Sequence, residues 1–344
     1  MNLGALTGGG EAEPVTGFAI DHRKVAPGTV FGAFKGARFN GEDFIAQAVS
    51  SGAVAVVSRP ETKVDGAVHI PAEEPRRDFA RLAAKFFQPF PDTIVAVTGT
   101  NGKTSSVELV RQLWRMAGHP SASIGTLGVT TSDDQVTTGL TTPDIVTFLS
   151  NMAGLERMGI GHAAFEASSH GLSQYRTEGV PVSAAAFTNF SRDHLDYHET
   201  MEAYFEAKMR LFEDVLEAGA TAVVWADDAK SDEVMLRCRA RGLKVVSVGE
   251  RGDALRLVAR ATTQLGQKLT IDAGGWVHIV DLALIGAYQA ANALTAAGLA
   301  IATGGEVKAT LANLARVHPV RGRLERAVIT RAGAPVYVDY AHTA

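Results

Sequence analysis

The chain has 344 residues, of which 46% are hydrophobic and 20% charged, and its formal net charge is -4. This length predicts two or three domains, and the negative charge argues against a surface that binds nucleic acid. The single cysteine, Cys238, excludes a disulfide framework. The N-terminus does not resemble a leader and no apolar run reaches membrane-spanning length, so we expect a cytoplasmic protein that does not bind a membrane.

The first part of the chain alternates strand-like and helix-like segments. A turn leading into a strand is expected over 25–34, a helix over 42–51 and another strand over 53–57. The segment Gln88-Pro89-Phe90-Pro91 resists continuing either a helix or a strand. We therefore predict a small α/β domain over residues 1–89.

Polar and basic side chains lie on the predicted loops of this first domain. His22 and Arg23 precede the 25–34 segment, and Asn40 follows it. By spacing alone these residues belong either to solvated loops or to a ligand site at the ends of the strands.

An apolar β-branched run, 94–97, leads into the loop that dominates the sequence, Gly99-Thr100-Asn101-Gly102-Lys103-Thr104. Helical spacing follows over 105–114. Such a loop at a helix N-terminus can hold phosphate oxygens with its backbone N–H groups, while Lys103 reaches the β- and γ-phosphates and the Thr104 hydroxyl ligates Mg²⁺. The glycine spacing is shorter than in the usual G-x-x-x-x-G-K-[ST] pattern. The alternative is an ordinary strand-to-helix turn.

Apolar strands then recur with helical stretches between them, and they are predicted at 162–165, 184–187, 222–225 and 244–248. This alternation predicts a mostly parallel, doubly wound sheet with ligands at the carboxyl ends of its strands. Segments 267–271 and 276–280 flank Gly274-Gly275 and predict an appended hairpin, and 288–302 predicts an alanine-rich helix.

Three polar residues that follow the predicted strands are candidates for chemistry, two at strand ends and one on a helix. Glu166 follows a strand directly, and is either a Mg²⁺ ligand or an exposed carboxylate. His194, after Asp193, is either a metal ligand or part of the cap of a helix at 201–212. Lys208 lies on that helix, and by composition alone it reads as a surface lysine with a partly buried stem.

Six ordered motifs closely resemble those of the Mur ligases. They are Thr98-Gly99-Thr100-Asn101-Gly102-Lys103-Thr104, Leu140-Thr141-Thr142-Pro143-Asp144, Glu166-Ala167-Ser168-Ser169-His170-Gly171-Leu172, Thr188-Asn189-Phe190-Ser191-Arg192-Asp193-His194-Leu195-Asp196-Tyr197-His198, Gly322-Arg323-Leu324-Glu325 and Asp339-Tyr340-Ala341-His342-Thr343. The resemblance covers nearly the whole chain. It implies a UDP-binding domain at 1–89, a P-loop ATPase domain at 90–321 and, at 322–344, the beginning of a truncated Rossmann-like C-terminal domain.

The resemblance implies an ATP- and Mg²⁺-dependent ligase of peptidoglycan precursor synthesis. A monomer would join meso-diaminopimelate or L-lysine to UDP-N-acetylmuramoyl-L-alanyl-D-glutamate through an acyl phosphate, although a chain ending at 344 would bind substrate without turnover. Two alternatives are a folylpolyglutamate synthetase-like ligase and a non-catalytic nucleotide-binding module.

The same resemblance assigns roles to individual residues. Catalysis is implied for Lys103, His194 and Lys208. ATP binding is implied for Gly99, Thr100, Asn101, Gly102, Lys103, Thr104, Ser105, Asn292, Arg323 and Asp339; substrate binding for His22, Arg23, Asn40, Thr141, Thr142, Ser168, Gln174 and Arg176; and metal binding for Thr104, Glu166, His194 and a carbamylated Lys208. His22, Trp225 and Gln289 depart from the usual family residues.

Overall fold

The computed structural model describes residues 1–36, 39–132, 135–136, 141–329, 331 and 335–340. The motif residues Leu140, Ala341, His342 and Thr343 therefore lie outside the described residues. The chain forms two compact units: unit 1 contains Met1–Phe90, Asp144–Gly154 and Gln174–Val180, and unit 2 contains Pro91–Pro143, Leu155–Ser173 and Pro181–Ala344. Within the described part of the chain, no helix is long and apolar enough to cross a membrane.

Unit 1 is built on a four-stranded sheet in which every neighbouring pair is parallel, in the order β1-β2-β3-β4. Its elements are α1 (Leu3–Thr7), β1 (Gly17–Ala19), β2 (Thr29–Gly32), α2 (Ile45–Ser50), β3 (Ala53–Ser58), β4 (Val68–Pro71) and α3 (Pro75–Phe87). The predicted strands at 25–34 and 53–57 are confirmed. The helix predicted at 42–51 starts as a 3-10 turn, Gly41–Phe44, before α2 begins, because the Asn40 side chain accepts from the Glu42 N–H and caps that turn.

Unit 2 contains an eleven-stranded sheet in the order β15-β14-β13-β12-β11-β10-β5-β9-β6-β7-β8. Its strands are β5 (Thr93–Thr98), β6 (Ser121–Gly125), β7 (Gly128–Thr130), β8 (Gln135–Val136), β9 (His162–Glu166), β10 (Val182–Phe187), β11 (Leu216–Trp225), β12 (Lys244–Gly249), β13 (Leu255–Thr262), β14 (Gln267–Ala273) and β15 (Trp276–Leu282). In this spatial order, all neighbouring pairs between β13 and β6 are parallel. The outer pairs, which involve β14 and β15 at one margin and β7 and β8 at the other, are antiparallel. The predicted parallel strands and hairpin are confirmed.

The helices that follow β5 in the chain are α4 (Lys103–Met116), α5 (Ile145–Arg157), α6 (Ser169–Ser173), α7 (Leu195–His198), α8 (Met201–Arg210), α9 (Ser231–Ala240), α10 (Ala287–Ala302) and α11 (Val307–Leu314). A short antiparallel pair, β16 (Glu325–Ile329) and β17 (Pro335–Val338), comes last. The predicted helix at 201–212 ends in a π-helical turn, Leu211–Val215, after α8.

The register of the central strands fixes where their loops begin. On β5, Ile94, Val95 and Val97 are fully buried, and each contributes roughly 1.5–3 kcal/mol by leaving water. Thr98 lies beside Phe187 of β10, and Phe187 lies beside Val224 of β11. The three strands therefore end at the same level, and their following residues emerge along one edge of the sheet.

Candidate nucleotide and substrate site

The loop between β5 and α4 is packed so closely that two of its positions require glycine. Gly99 and Gly102 have φ values of 146° and 88°. A Cβ atom on Gly99 would lie 1.9 Å from the Thr188 hydroxyl oxygen, and one on Gly102 would lie 2.4 Å from Asn292 Oδ1. Only glycine combines this backbone conformation with so little space.

The segment after β10 holds the loop in shape. The N–H groups of Thr100 and Asn101 donate to the backbone carbonyl and the side-chain oxygen of Asn189, each at 2.9 Å. The Thr188 hydroxyl donates to the Asn101 carbonyl at 2.6 Å. Because α4 begins at Lys103, the backbone N–H groups that follow the loop belong to a helix N-terminus, and they can donate hydrogen bonds to a bound anion.

Two lysines meet at one backbone carbonyl of this loop. Lys103 Nζ donates to the Gly99 carbonyl at 2.9 Å and to the Thr100 carbonyl at 2.7 Å. Lys208 Nζ donates to the same Gly99 carbonyl at 2.7 Å and lies 4.2 Å from the centroid of the Tyr204 ring. Since Lys208 is only 1% exposed, its interpretation as a surface lysine is wrong.

Burial makes both lysine amines less basic than the amine of an exposed lysine. Burial lowers the pKa of Lys103, and the negative charges of Glu166 and Asp193 oppose that shift. Burial, followed by the charge of Lys103, lowers the pKa of Lys208 well below its usual range. The site therefore places a weakly basic, enclosed amine beside the phosphate-binding loop.

Glu166 is the last residue of β9 and is 1% exposed, so its interpretation as an exposed carboxylate is wrong. It accepts from the Thr126 N–H at 2.7 Å and from the Thr126 hydroxyl at 3.3 Å. A Cβ atom on Gly125 would lie 2.1 Å from Glu166 Oε1. Burial raises the pKa of Glu166, and the positive charge of Lys103 opposes that shift.

His194 stands in a left-handed backbone conformation, with φ 51°. Its Nε2 atom lies 3.5 Å from Asp193 Oδ2, and burial lowers its pKa. The proposal that Asp193 and His194 cap the helix at 201–212 is wrong, since the Thr200 side chain accepts from the Ala203 N–H and caps α8.

The predicted metal ligands line one cavity of about 770 Å³, together with the loop. They are Thr104, Glu166, His194 and Lys208. Hydroxyl and carboxylate oxygens fit Mg²⁺, and the Thr104 hydroxyl also hydrogen-bonds to Glu166. No three His, Cys, Asp or Glu side chains in the described ranges form a metal-binding cluster, so phosphate oxygens and water would have to complete an octahedral shell.

The residues predicted to bind the rest of the nucleotide are connected to the loop. Arg323 Nη2 donates to the Thr104 hydroxyl at 3.0 Å. Gln289 Nε2 donates to the Arg323 carbonyl at 3.1 Å, and Asn292 Nδ2 donates to Gln289 Oε1 at 3.2 Å. Asp339 Oδ1 accepts from the Leu324 N–H at 3.0 Å. Gln289 thus links α10 to Arg323, a role that its sequence position did not reveal.

Three residues predicted to bind substrate make hydrogen bonds close to Glu166 in unit 2. Thr142 Oγ1 and Ser168 Oγ are 2.9 Å apart, and the Thr142 hydroxyl also donates to the Glu166 carbonyl at 2.8 Å. The hydroxyl oxygens of Thr141 and Thr126 are 3.1 Å apart. Thr142 thus contacts the backbone of Glu166, while Thr126, the partner of Thr141, hydrogen-bonds to the Glu166 carboxylate.

The other residues predicted to bind substrate lie in unit 1. Its own cavity, of about 800 Å³, is lined by His22, Arg23 and Gln174 among others. The His22 ring stacks on Phe44 with centroids 4.4 Å apart. Arg23 pairs with Asp21, and this hydrogen bond is the main cause that lowers the pKa of that carboxyl to about 2.

Two further candidates in unit 1 are held by neighbouring side chains. Arg176 Nη2 donates to Gln174 Oε1 at 2.7 Å, and Arg176 Nε donates to the same oxygen at 3.2 Å. Asn40 caps the 3-10 turn described above. Phe44, Arg76 and Thr147 also line the cavity, although the sequence patterns did not single them out.

The sheet is mostly parallel, Glu166 ends β9, and the loop that contains Gly99 and Gly102 leads into α4, which begins at Lys103. These features define a phosphate-binding-loop protein of the α/β class. Comparison with family models narrows this class. The Mur ligase middle domain matches residues 97–300, and the model described as Mur ligase family, catalytic domain, matches residues 14–96. The chain belongs to the Mur ligase family.

Individual relatives agree with this assignment. The chain is 57% identical to the UDP-N-acetylmuramoyl-L-alanyl-D-glutamate--2,6-diaminopimelate ligase of Zymomonas mobilis subsp. mobilis, over 96% of the chain and 68% of that protein. A solved structure of a ligase with the same name matches with a TM-score of 0.85 and 27% identity, over 95% of the chain and 69% of that structure. Mycobacterium tuberculosis folylpolyglutamate synthase complexed with ADP matches with a TM-score of 0.61 and 20% identity, over 76% of the chain and 64% of that structure, which shows a shared fold alone.

Proposed function

We propose that this chain binds ATP in unit 2 and UDP-N-acetylmuramoyl-L-alanyl-D-glutamate as the carboxylate substrate of an ATP-dependent ligase that adds meso-diaminopimelate. The observation that carries the proposal is the convergence of Lys103, Lys208 and Glu166 on one cavity beside a loop that accepts phosphate. The relatives named above supply the substrate class.

In the proposed reaction the glutamate carboxylate takes the γ-phosphoryl group of ATP, and the amine of diaminopimelate then displaces phosphate from the acyl phosphate. Lys103 and the N-terminus of α4 bind and orient the phosphates. Thr104 and Glu166 would hold one Mg²⁺, and His194 with a carbamylated Lys208 would hold a second. Bound Mg²⁺ supplies neutralisation of the charge on the transferred phosphoryl group.

The predicted domain roles, with UDP in residues 1–89 and ATP in 90–321, are part of this proposal. His22, Arg23 and Asn40 are proposed to bind the UDP portion, and Thr141, Thr142, Ser168, Gln174 and Arg176 the muramoyl dipeptide. A cytoplasmic monomer remains our expectation. The relatives that are more than 40% identical are named as muramoyl-peptide ligases, which argues against a folate substrate, and membership of a ligase family argues against a purely regulatory module.

Calorimetric titration of this chain with UDP-N-acetylmuramoyl-L-alanyl-D-glutamate should give a dissociation constant in roughly the micromolar range, equivalent to about 8 kcal/mol of binding free energy. ATP should bind as well, whereas a folate substrate should give no heat beyond dilution. If a correctly folded chain bound the folate and not the muramoyl nucleotide, the assigned substrate class would be wrong.

Arg176→Ala should weaken the affinity for the muramoyl nucleotide by roughly 10- to 150-fold, which is the range expected when a charged hydrogen bond to an oxyanion is removed. ATP affinity should stay within about two-fold, since its proposed site lies in unit 2. Calorimetry of both ligands measures this difference. Arg115→Ala, which removes an exposed arginine of α4, is the matched control and should change neither affinity. Equal weakening of both ligands by Arg176→Ala would indicate a folding defect and not a lost contact.

A further inference from the structure

One face of α8 contacts the phosphate-binding loop at two positions one helical turn apart. The Tyr204 hydroxyl oxygen lies 3.2 Å from Thr100 Oγ1, and Lys208 Nζ donates to the Gly99 carbonyl at 2.7 Å. Both Tyr204 and Lys208 are buried. Because residues four apart lie on the same face of a helix, the rotation of α8 about its own axis decides whether the Lys208 amine reaches the loop.

The helix continues directly into the π-helical turn Leu211–Val215, and β11 begins at the next residue, Leu216. A π turn is rare, and it contains about one residue more than an α turn. If this turn relaxed to a regular α-helix, α8 would rotate by roughly 100° relative to β11, the angle that one residue occupies in an α-helix. Lys208 would then point away from Gly99. The position of its amine therefore depends on the contacts that stabilise the junction between α8 and the π turn.

Arg237 of α9 makes such contacts, since its guanidinium binds two carboxylates. Nη1 and Nη2 donate to Glu206 Oε1 and Oε2 at 2.6 and 2.8 Å, and Nε and Nη2 donate to Glu213 Oε1 and Oε2 at 2.7 and 2.9 Å. Glu206 lies on α8, two residues before Lys208, and Glu213 lies in the π turn, five residues after it. One side chain thus joins the two segments that meet at the junction.

The helix that carries Arg237 is itself fixed on the sheet of unit 2. Val234 and Cys238, which share one face of α9, are fully buried, and α9 packs on β11 and β12. The Ser231 hydroxyl donates to the carbonyl of Trp225, the last residue of β11, at 2.5 Å. The Arg237 side chain is only 26% exposed and pairs with each carboxylate through two hydrogen bonds, so it differs from an ordinary surface ion pair, which contributes little.

We propose that Arg237 is a positioning residue for Lys208. By binding a carboxylate on each side of the junction, its guanidinium keeps the π turn in place and holds the Lys208 amine at the Gly99 carbonyl. Arg237 acts through α8, since the residues that the structure describes around the cavity do not include it. This inference rests on the proposed function, in which a carbamylated Lys208 holds a metal ion beside the loop.

The test compares Arg237→Met, which removes the forked contacts, with Arg239→Met at an exposed arginine of the same helix. Carbon-13 NMR of this chain with labelled bicarbonate, without added metal, should show a carbamate signal that Lys208→Ala lacks. Arg237→Met should lose most of that signal and Arg239→Met should keep it. In a protein with the full length of the relatives, Arg237→Met should lower kcat by roughly 10- to 100-fold, the effect of misplacing a group by about 1 Å, and leave KM for ATP within about two-fold.

Glu213→Gln is a milder second variant, because it keeps Arg237 and its pairing with Glu206. It should show the same two losses to a smaller degree, and it carries the test if Arg237→Met does not fold. A lower Tm with the carbamate signal and kcat of the wild type, both measured well below that Tm, would overturn the inference, since Arg237 would then only stabilise the fold. An equal loss of ATP affinity and kcat would overturn it as a general distortion. If the full-length wild-type protein did not ligate the muramoyl substrate, the proposed function itself would fail.

Discussion

Replacing Lys208 with alanine should lower the ligation rate by roughly 10³-fold or more, measured on a protein that has the full length of the relatives. The reason is that the substitution removes the proposed anionic ligand of a metal at the phosphoryl group. Short-chain carboxylates such as acetate should restore part of the rate by entering the space that the side chain leaves. The measurement is phosphate release with both substrates present. Lys230→Ala is the matched control, because Lys230 also lies over an aromatic ring, 4.7 Å from the Phe205 centroid, but outside the cavity lining.

The physical reason for this effect is the state of the Lys208 amine. Carbon dioxide adds to a neutral amine to form a carbamate and release one proton, which converts a cation into an anion. Burial and the neighbouring Lys103 lower the pKa of Lys208, so the neutral amine is populated at a lower pH than in an exposed lysine. Carbon-13 NMR with labelled bicarbonate should give a carbamate signal that Lys208→Ala lacks. Wild-type ligation by Lys208→Ala would remove Lys208 from the mechanism.

The parallel strands at the centre of unit 2 could be predicted because a strand buried on both faces reads as a continuous apolar run. β6, the last parallel strand on one side of the sheet, was missed because the buried polar residues Ser121 and Ser123 interrupt its apolar pattern. These serines pair with α4: Ser121 Oγ donates to the Arg111 carbonyl at 2.9 Å, and Ser123 Oγ hydrogen-bonds to Glu108. β13 was missed because Leu255 and Leu257 alternate with exposed residues in a short segment. Tertiary hydrogen bonds therefore hid β6, and the exposure of alternate residues hid β13.

The residues of the candidate site could likewise be predicted from the sequence only in part. Gly99, Lys103 and Thr104 could be placed from local sequence, because a loop between a strand and a helix has few possible geometries. The burial of Lys208 could not, since its hydrogen-bond acceptor, the Gly99 carbonyl, is 109 residues away along the chain. The nearest local signal was the aromatic residue one turn earlier, Tyr204, over whose ring the amine lies.

Lys103→Ala should weaken the affinity of this chain for ATP by roughly 10²-fold or more, as measured by calorimetry, because a charge-assisted contact to the β- and γ-phosphates is lost. AMP, which has neither phosphate, should bind the variant and the wild type equally. In the free chain the amine already lies at the loop, on the Gly99 and Thr100 carbonyls, so little reorganisation precedes binding. Equal weakening of AMP and ATP would contradict a role at the terminal phosphates.

The same substitution should also change Lys208, since both amines donate to the Gly99 carbonyl. Lys103 lowers the pKa of Lys208, so its removal raises that pKa and reduces the neutral amine available to carbon dioxide at a fixed pH. It also removes the positive charge that would stabilise the carbamate anion. Both effects act in one direction, and the carbon-13 carbamate signal of Lys103→Ala should be weaker than that of the wild type. A signal of unchanged strength would mean that the two lysines act independently, each through its own contact with substrate or metal.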